Sequence, residues 1–469
     1  MPANPPTAVR ITLTKGQEEA LTRMLAFISA SEGDTFCLRG GAGCGKTRLI
    51  SHFIKIVVGQ RKRRVVASAP THKACRVLRG KLQAEGIQWV FKPPLYGKSR
   101  QLPALNIVIN DTIAALIGLR MAIVENQDAT KEHFAISSGD ATLDAVLVGS
   151  APGYRPLLVI DETSMVGQNQ LAVIKKLAKL QNAKIIFVGD EGQLPPIDAL
   201  SIDFAHDFDE SVELTEIVRQ AEGSAIIRLA YAVRRNEALT TDLFQGPGIT
   251  RAAVPVDWFL DRLTLPVDDE GKRMVFIAYT NRWVDHVQNL ACWRLYQHSF
   301  LDFKVGELVL ADKPVEGKVF AADQLRILQI DSASGRCQLD RVDLPEGHSG
   351  RVFQANYMSA SARADPDHPF NRTLAELLAI AEKLQAEYDK ATPKSQAREM
   401  IDTARRPAWK IYNDHKRRMI TFVHPFAITA HRAQGSTYDT AVIHAADLLQ
   451  HDRRALYVAA TRPSNQLVL

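Results

Sequence analysis

The sequence predicts an α/β protein with two parallel-sheet units and a small antiparallel insertion. Short apolar or β-branched runs alternate with amphipathic helical patterns in the first half of the 469-residue chain, and the same alternation returns later in the chain. Strands that alternate with helices form parallel βαβ units, and buried parallel strands are continuous apolar runs. Between the two units, short alternating runs separated by Gly- and Asp-containing turns are typical of antiparallel strands.

Each predicted strand of the two units is a short apolar run bounded by glycine, proline or charged residues. The strands predicted for the first unit are Thr35–Leu38, Arg64–Ala69, Leu157–Ile160 and Lys184–Val188. Those predicted for the second unit are Met274–Ala278, Ala441–His444 and Gln466–Leu469. Because helical patterns lie between most of them, we expect a parallel sheet in each unit.

The insertion is predicted to have two parts. Residues Phe303–Leu344 contain the alternating runs and are expected to form a small antiparallel barrel. A helical segment follows, in which six residues at 3.6-residue spacing share one face. They are Leu374, Leu377, Leu378, Ala381, Leu384 and Tyr388. Pro393 interrupts this helix, and a second, basic stretch runs to Arg418, so we expect the insertion to end where the strand-like Ile420–Val423 begins.

The composition is that of a globular protein. Hydrophobic residues make up 46% of the chain and charged residues 23%, which excludes a mainly disordered chain, a collagen-like chain and a disulfide scaffold. The N-terminus lacks a secretory pattern, and no apolar run reaches the roughly 18 residues needed to cross a bilayer. The five cysteines form no CxxC pair, which favours a reducing cytosol. The formal net charge of +6 permits a polyanionic partner without establishing one.

The most specific motif is a glycine-rich loop after the first predicted strand. Residues 40–47, GGAGCGKT, match G-x-x-x-x-G-K-[ST], and Arg48–Val58 continue as a helical pattern. In this setting backbone N–H groups and the helix N-terminus bind phosphates, Lys46 pairs with the β- and γ-phosphates, and Thr47 coordinates Mg²⁺. ATP and Mg²⁺ are therefore the predicted ligands, and a glycine-rich turn with an unrelated lysine is the alternative. The predicted nucleotide-binding residues of the loop are Gly41, Ala42, Gly43, Cys44, Gly45, Lys46, Thr47 and Arg48.

Two later strands end in polar residues that suit nucleotide hydrolysis. Asp161 and Glu162 follow the strand Leu157–Ile160. Since successive side chains along an extended chain point in different directions, we expect Asp161 to hold Mg²⁺ and Glu162 to activate water. Gln193, after the strand Lys184–Val188, is a candidate sensor of the γ-phosphate. The alternatives are a solvated helix start for the acidic pair and a plain β-turn around Gln193.

These blocks and six further motifs resemble, in the same order, the superfamily 1 helicases of the B branch, the RecD- and Dda-like 5′→3′ DNA helicases. The further segments look like the Q motif and motifs Ia, Ib, IV, V and VI. They are residues 14–17, 69–74, 111–113, 214–220, 429–437 and 456–462. The resemblance therefore covers almost the whole chain.

The resemblance implies two RecA-like P-loop NTPase lobes that bind ATP between them. Lobe 1A would comprise residues 1–117 and 153–211, and lobe 2A residues 212–300 and 419–469. Domain 1B, residues 118–152, would be a β-hairpin that carries a strand-separating pin. Domain 2B, residues 301–418, would be an SH3-like β-barrel with a helical arm. The family also implies a monomeric motor in the cytoplasm of a bacterium or of a phage-infected host.

The same resemblance assigns further nucleotide contacts. Gln17 would read adenine, and Gln434 and Gly435 of motif V would contact the nucleotide. Positive charge from the second lobe is needed to neutralise charge that develops on the γ-phosphate, and Arg219 and Arg462 are the candidate arginine fingers. Without the resemblance, the simpler interpretation is that both arginines form surface ion pairs.

The implied DNA contacts are hydroxyl and backbone groups rather than base-edge readers, because a translocase must ignore sequence. The candidate DNA-binding residues are Pro70, Thr71, His72, Lys73, Thr112, Thr280, Asn281, Thr429, His431 and Thr437. Phe134 is the candidate wedge that stacks on the last base pair, and an ordinary buried phenylalanine is the alternative. A core histidine is likewise the alternative for His431.

Three departures from the family pattern concern Arg432-Ala433, Pro463 after Arg462, and a longer stretch at residues 83–110. That stretch interleaves aromatic and basic residues, which suits single-stranded DNA, but a surface loop is the favoured interpretation.

We therefore expect an ATP- and Mg²⁺-dependent 5′→3′ DNA helicase whose partners are single-stranded DNA, single-strand/duplex junctions and replication or repair proteins. A translocase or RNA-directed helicase, a non-catalytic nucleic-acid-binding scaffold and a P-loop kinase are the alternatives. The scaffold predicts lost catalytic residues, whereas all of those named above are present.

Overall fold

The structure is a computed structural model in which the chain divides into two compact units. Residues 1–116 and 141–227 form the first unit, and residues 117–140 and 228–469 form the second. The residues that the structure describes are 13–90, 102–117, 119–122, 133–136, 147–196, 199–217, 224–264, 274–313, 319, 323–331, 335–342, 351–393 and 395–469.

The first unit is built on a seven-stranded parallel sheet. Its strands are β1 (Thr35–Gly40), β2 (Val65–Ala69), β3 (Gln88–Val90), β4 (Ile107–Thr112), β7 (Leu157–Ile160), β8 (Lys184–Gly189) and β9 (Glu210–Leu214). They lie in the order β3-β4-β2-β7-β8-β1-β9. The four strands predicted from apolar runs are confirmed and occupy the centre of the sheet, where both faces are buried.

Three strands of this sheet were not predicted. Two of them, β3 and β9, are edge strands with weak apolar patterns, and the third, β4, lies inside the sheet but has only three consecutive apolar residues. The interpretation of residues 83–110 as a surface loop is wrong where β3 and β4 extend the sheet, at residues 88–90 and 107–110. The indole ring of Trp89 in β3 lies 5.0 Å from the guanidinium carbon of Arg79. Residues 91–101, which contain all three basic residues of that stretch, lie outside the described residues.

Helices of the first unit cover this sheet. They are α1 (Lys15–Ser29), α2 (Lys46–Gly59), α3 (His72–Ala84), α4 (Ile113–Leu116), α5 (Gln168–Leu180) and α6 (Ala225–Arg234), the last of which runs into the second unit. In α2, Leu49, Phe53 and Val57 recur at helical spacing and are fully buried. The loops that leave the carboxyl ends of the strands lead into α2, α3 and α4, which places the predicted motifs at one edge of the sheet.

A two-stranded antiparallel pair corresponds to the region predicted as domain 1B. Its strands are β5 (Leu119–Ala122) and β6 (His133–Ile136), with Met121 opposite Phe134. Phe134 therefore lies within a strand. Residues 123–132 and 137–146 lie outside the described residues, so the pin remains a prediction.

The second unit contains a five-stranded parallel sheet. Its strands are β10 (Ile249–Thr250), β11 (Met274–Ala278), β18 (Ala427–Thr429), β19 (Tyr438–Ile443) and β20 (Pro463–Val468), in the order β10-β20-β19-β11-β18. Its helices are α7 (Pro255–Arg262), α8 (Asn281–Tyr296), α12 (Ala430–Ala433), α13 (Ala445–His451) and α14 (Arg453–Ala460). All three predicted strands are confirmed, and two of them begin three residues earlier than predicted.

The insertion forms a six-stranded sheet with its own core. Its strands are β12 (Leu308–Ala311), β13 (Gln324–Asp331), β14 (Arg336–Arg341), β15 (Val352–Tyr357), β16 (Met419–Ile420) and β17 (Phe422–Val423). Pairing is antiparallel except between β15 and β16. The predicted end of the module at Arg418 is too early, because Ile420 and Phe422 pack into this core and β17 pairs with β12.

A buried ionic cluster lies where the insertion joins the second unit. Glu307, just before β12, accepts hydrogen bonds from the ring nitrogens of His298 at 2.5 Å and His424 at 3.2 Å. All three residues are almost fully buried. Burial raises the pKa of the Glu307 carboxyl, but the hydrogen bonds from His424 and His298 outweigh it and hold that pKa below its ordinary value.

The predicted helical arm is a pair of long helices, preceded by the short α9 (Ala360–Ala364). The pair consists of α10 (Pro369–Lys390) and α11 (Gln396–Lys416), with Pro393 in the turn between them. Ala381 and Trp409 pack together at its centre, with Leu378 beside them, so the predicted apolar face of the first helix is confirmed. Although α10 has 22 residues, none of the described helices combines the length and apolar character needed to cross a membrane.

Candidate nucleotide site and nucleic-acid surface

The glycine-rich loop connects β1 to α2 as the sequence predicts. Gly43 and Gly45 have φ angles of +83° and +77°, which only glycine adopts without strain. Gly45 is the N-cap of α2 and has no side chain to bond the first helical N–H groups. Lys46 Nζ donates to the carbonyl oxygens of Gly40 at 2.7 Å and Gly41 at 2.9 Å. The loop thus presents the backbone donors that phosphate oxygens require.

Gly40, the first glycine of the motif, is required by a close approach between strands. A Cβ atom at this position would lie 2.8 Å from the carbonyl oxygen of Leu214 and 3.2 Å from its Cβ. Leu214 is the residue paired with Gly40 in the neighbouring strand β9. The loop is therefore fixed against an edge strand that the sequence did not reveal.

Gln17 of the predicted Q motif ties helix α1 to the loop. Its side chain forms a capping box with Thr14, and its Nε2 atom donates to the carbonyl oxygen of Cys44 at 3.0 Å. Gln17 is only 4% exposed. These contacts bring the Q motif and the glycine-rich loop together, and adenine recognition by Gln17 remains a prediction.

The acidic pair after β7 lies against the start of α2. Thr47 Oγ1 donates to Asp161 Oδ2 at 3.3 Å, and the N–H of Glu162 donates to Asp161 Oδ1 at 2.8 Å. Glu162 has a φ angle of +54°, so its side chain leaves the backbone in a different direction from that of Asp161. Burial, and then the charge of Glu162, raise the pKa of the Asp161 carboxyl to about 7, although Lys46 and Thr47 oppose the shift.

The donors at this position fit a magnesium ion. A carboxylate and a hydroxyl, 3.3 Å apart, supply the hard oxygen ligands that Mg²⁺ prefers. Mg²⁺ usually keeps several waters and phosphate oxygens, so two protein ligands suffice. No cluster of three or more His, Cys, Asp or Glu residues in the described part of the chain has metal-binding geometry. Thr47 and Asp161 therefore fit an ion that is held jointly with a phosphate.

Gln193 lies in the turn after β8 and carries a buried acceptor oxygen that no described residue bonds. The turn after β8 is held by Asp190, whose carbonyl accepts from the N–H of Gln193 at 3.1 Å and whose carboxylate accepts from Gly192 at 3.1 Å. Gln193 is 6% exposed, and no described residue donates a hydrogen bond to its Oε1 atom. An unsatisfied buried acceptor costs roughly 1–3 kcal/mol, and such atoms concentrate at functional sites.

In the first unit, predicted DNA contacts gather at the carboxyl ends of β2 and β4. These strands are neighbours, with Ala69 opposite Thr112. Thr71 and Thr112 cap α3 and α4, because their hydroxyl oxygens accept from the N–H groups of residues 74 and 115. Thr112 is 3% exposed, so its hydroxyl serves the helix cap. Pro70, His72 and Lys73 beside them are half-buried.

In the second unit, the segment after β11 is bound to a carboxylate that the sequence analysis missed. Asp447 Oδ2 accepts from the N–H groups of Tyr279 at 2.7 Å and Thr280 at 2.9 Å. The Thr280 hydroxyl also donates to Asp447 Oδ1, at 3.2 Å. The backbone N–H and the hydroxyl of Thr280 are therefore already hydrogen-bonded to a residue of the same unit, whereas Asn281, next to it, is exposed. No motif in the sequence identifies Asp447, which is 168 positions from Tyr279.

Motif V places its remaining candidates around the short helix α12. Thr429 is the N-cap, since its hydroxyl oxygen accepts from the N–H of Arg432 at 3.3 Å. Burial lowers the pKa of His431 below its ordinary value, so its ring is largely neutral at neutral pH. Gln434 is 4% exposed, Gly435 has a φ angle of +69°, and Thr437 is exposed.

Arg462, one of the two candidate arginine fingers, is anchored by hydrogen bonds within the second unit. Arg462 is 7% exposed, and its guanidinium donates to the carbonyls of Val458 at 2.9 Å and Ser436 at 3.2 Å and to the hydroxyl of Thr461 at 2.8 Å. These partners join motifs V and VI within the second unit. Arg219 lies outside the described residues.

Two family models match the chain. A model described as AAA domain matches residues 12–252, and one described as UvrD-like helicase C-terminal domain matches residues 424–469. Among curated relatives, protein R530 of Acanthamoeba polyphaga mimivirus is 22% identical over 96% of this chain and 98% of its own. The ATP-dependent DNA helicase dda of Enterobacteria phage T4 is 22% identical over 96% and 97%. The ATP-dependent RecD2 DNA helicase of Deinococcus radiodurans is 35% identical over 88 residues, 19% of this chain and 12% of its own.

Among solved structures, the Pif1 helicase from Candida albicans is similar, with a TM-score of 0.49 and 14% identity over 98% of this chain and 95% of that one.

A glycine-rich loop between a parallel strand and a helix, with an acidic pair after a strand two positions away in the same sheet, defines a P-loop nucleoside triphosphatase. The chain belongs to the AAA-domain family, whose model spans more than half of it, and is a superfamily 1 helicase of the RecD- and Dda-like branch, an ATP-dependent DNA helicase.

Proposed function

We propose that this helicase is a motor that moves 5′→3′ along single-stranded DNA and separates the duplex ahead of it. The observation that carries the proposal is the convergence, at one sheet edge of the first unit, of Lys46, the Thr47–Asp161 pair and the unsatisfied oxygen of Gln193. The direction of movement is supported by the order and identity of the motifs between residues 14 and 462.

The proposed hydrolysis of ATP uses groups that are already positioned. Lys46, which now donates to two loop carbonyls, would donate instead to the phosphate oxygens. Mg²⁺ held by Thr47 and Asp161 would neutralise charge on the β- and γ-phosphates. Glu162 would accept a proton from the attacking water, and Gln193 Oε1 would accept a hydrogen bond that orients this water.

The remaining nucleotide contacts are proposed from the motifs. Arg462 and Arg219 would stabilise charge on the transferred phosphoryl group, Gln434 and Gly435 would contact the nucleotide, and Gln17 would read adenine. For Arg462 this requires that neutral carbonyl partners be exchanged for phosphate oxygens. A phosphate oxygen carries a negative charge that a carbonyl oxygen lacks, and its attraction to the guanidinium favours that exchange.

DNA is proposed to follow the carboxyl edges of the sheets. The residues proposed to grip it are Pro70, Thr71, His72, Lys73, Thr112, Thr280, Asn281, Thr429, His431 and Thr437. Phe134 on the β5–β6 pair would be the wedge of domain 1B. The inserted sheet and the α10–α11 pair would form an SH3-like domain 2B, and the motor would act as a cytoplasmic monomer with replication or repair proteins.

The proposal is tested by an unwinding assay with 5′-tailed and 3′-tailed duplexes that carry matched DNA or RNA tails. We expect ATP-dependent unwinding of the 5′-DNA-tailed duplex alone, and none with Lys46→Ala. Unwinding from the 3′ tail would refute the proposed direction. ATP hydrolysis that is stimulated by single strands without any unwinding would show a translocase instead.

A further inference from the structure

Three neighbouring strands of the second unit are each followed by an aromatic or imidazole side chain at their carboxyl ends. Tyr279 follows β11, His431 lies two residues after β18, and His444 directly follows β19. The strands are adjacent in the order β19-β11-β18. Because parallel strands share one carboxyl edge, these rings lie along the same edge as Thr280 and Thr429.

A fourth ring, that of His451 at the end of α13, stacks on this group. The rings of His451 and Tyr279 are nearly parallel, with centroids 4.7 Å apart and an angle of 10° between their planes. His431 meets Tyr279 edge to face at 5.6 Å. His451 Nδ1 donates to the backbone carbonyl of Asp447 at 2.8 Å. The imidazole of His451 is thus held in a fixed orientation although its side chain is 37% exposed.

The chemistry of this edge suits bases better than phosphates. The backbone N–H groups after β11, which would otherwise bind an anion, are bonded to the buried carboxylate of Asp447. A negative charge at that position opposes a phosphate. The lowered pKa of His431 leaves a neutral ring beside Tyr279, which adds no cation to attract one. Every nucleobase has a flat face that stacks on such rings without regard to sequence.

We propose that His451, supported by Tyr279 and oriented by Asp447, is a stacking residue for a nucleobase of the bound single strand. The inference rests on the proposed function and adds a base contact outside every helicase motif of the sequence. A pre-oriented ring loses little conformational entropy when a base stacks on it.

The test compares four proteins in the binding of a 15-nucleotide oligothymidylate and of the same strand with one 2-aminopurine. They are the wild type, His451→Gln, His451→Trp and the control Gln450→Ala on the exposed side of the same helix. His451→Gln keeps an amide donor for the Asp447 carbonyl but removes the ring. We expect it to weaken binding about tenfold, and His451→Trp to restore the affinity.

Two further readouts separate stacking from charge and from folding. Stacking predicts that the slope of log Kd against log salt is the same in His451→Gln and the wild type, because no phosphate contact is lost. It also predicts less quenching of 2-aminopurine by His451→Gln, and wild-type behaviour of Gln450→Ala. The melting temperature of each variant shows whether it is folded.

Three other outcomes would contradict either the proposed function or the stacking role of His451. A wild-type protein that does not bind the oligonucleotide would refute the proposed function itself. Unchanged binding and quenching in a folded His451→Gln would overturn the stacking role alone. If that variant instead raised the KM for ATP and left DNA binding intact, the ring would serve the adenine of the nucleotide, which also overturns the inference.

Discussion

The two parallel sheets differ at their carboxyl edges, where a strand leads through a loop into a helix. After β1, the loop that leads into α2 has a glycine N-cap, and the nearby Gln193 oxygen has no donor among the described residues. After β11, the backbone N–H groups that lead into α8 are bonded to the carboxylate of Asp447. The first edge is prepared for an external anion, whereas the second already contains an internal one.

This difference shows how one type of sheet can serve two purposes. The Gln193 oxygen, to which no described residue donates, lowers the stability of the first unit until a donor such as a bound water reaches it. In the second unit the same positions are satisfied by the chain, which favours stability and a fixed arrangement of side chains.

If the carboxyl edge of the first unit binds the nucleotide, ATP hydrolysis must depend on the residues of that edge. Lys46→Ala and Glu162→Gln should each reduce DNA-stimulated ATP hydrolysis by about 100- to 1,000-fold, because a charge-stabilising donor or a general base is lost. Steady-state phosphate release measures the rate. DNA binding should remain measurable in both variants. Lys176→Ala, an exposed lysine of α5, is the control, and ATPase activity near the wild-type value in Glu162→Gln would exclude Glu162 as the base.

In the second unit, removal of the internal anion should cost stability. Asp447→Ala leaves the N–H groups of Tyr279 and Thr280 without their acceptor and should lower the free energy of unfolding by about 2–4 kcal/mol. Asp447→Asn keeps one acceptor oxygen and should lose about half as much. Urea denaturation measures both. If the alanine variant were as stable as the wild type, the carboxylate would not stabilise this edge.

The glycine-rich loop also depends on the close approach of β1 to the neighbouring strand β9. Gly40→Ala should destabilise the protein by about 1–3 kcal/mol, because the new methyl group meets the Leu214 carbonyl. Gly80→Ala is a matched control within α3, where a Cβ would contact nothing within 4 Å. It should stabilise the helix by about 0.5–1 kcal/mol. Equal effects of the two substitutions in thermal unfolding would contradict the close approach.

The smallest effect concerns pH and the cluster at the junction of the insertion. Because the folded-state pKa of Glu307 lies below its ordinary value of 4.5, its contribution to stability is complete above that value. This contribution is lost as the pH falls through the folded-state pKa. Glu307→Gln should therefore show a shallower loss of melting temperature than the wild type between pH 5 and pH 3. Parallel curves for the two proteins would rule out a stabilising role for the carboxylate charge.

Central strands and motif positions could be predicted from the sequence because each rests on local information. Continuous apolar runs placed β7 and β11 with the bounds that the structure has, and an eight-residue pattern placed the loop before α2. Edge strands such as β9 (ESVEL) lack that signal, since three of the five residues of β9 are polar and only Leu214 is buried.

The contacts within the sites depended on residues distant in the sequence. Nothing local to Tyr279 indicates a carboxylate at Asp447, and nothing local to Arg462 indicates the Ser436 carbonyl as its partner. The insertion boundary was misplaced for the same reason. Ile420 and Phe422 form an apolar run that suits either sheet, and only packing decides between the two.

The pairing of β12 with β17 has a consequence for how the insertion is attached. Leu310 lies opposite Val423, so the chain enters and leaves the module on adjacent strands after more than a hundred intervening residues. An element whose two ends lie side by side, and which has its own apolar core, can be removed and replaced by a short hairpin turn without stretching the host. Removal of the inserted sheet and its helical arm would therefore leave two chain ends that a short turn can join, provided that Glu307 is kept as the partner of His298 and His424.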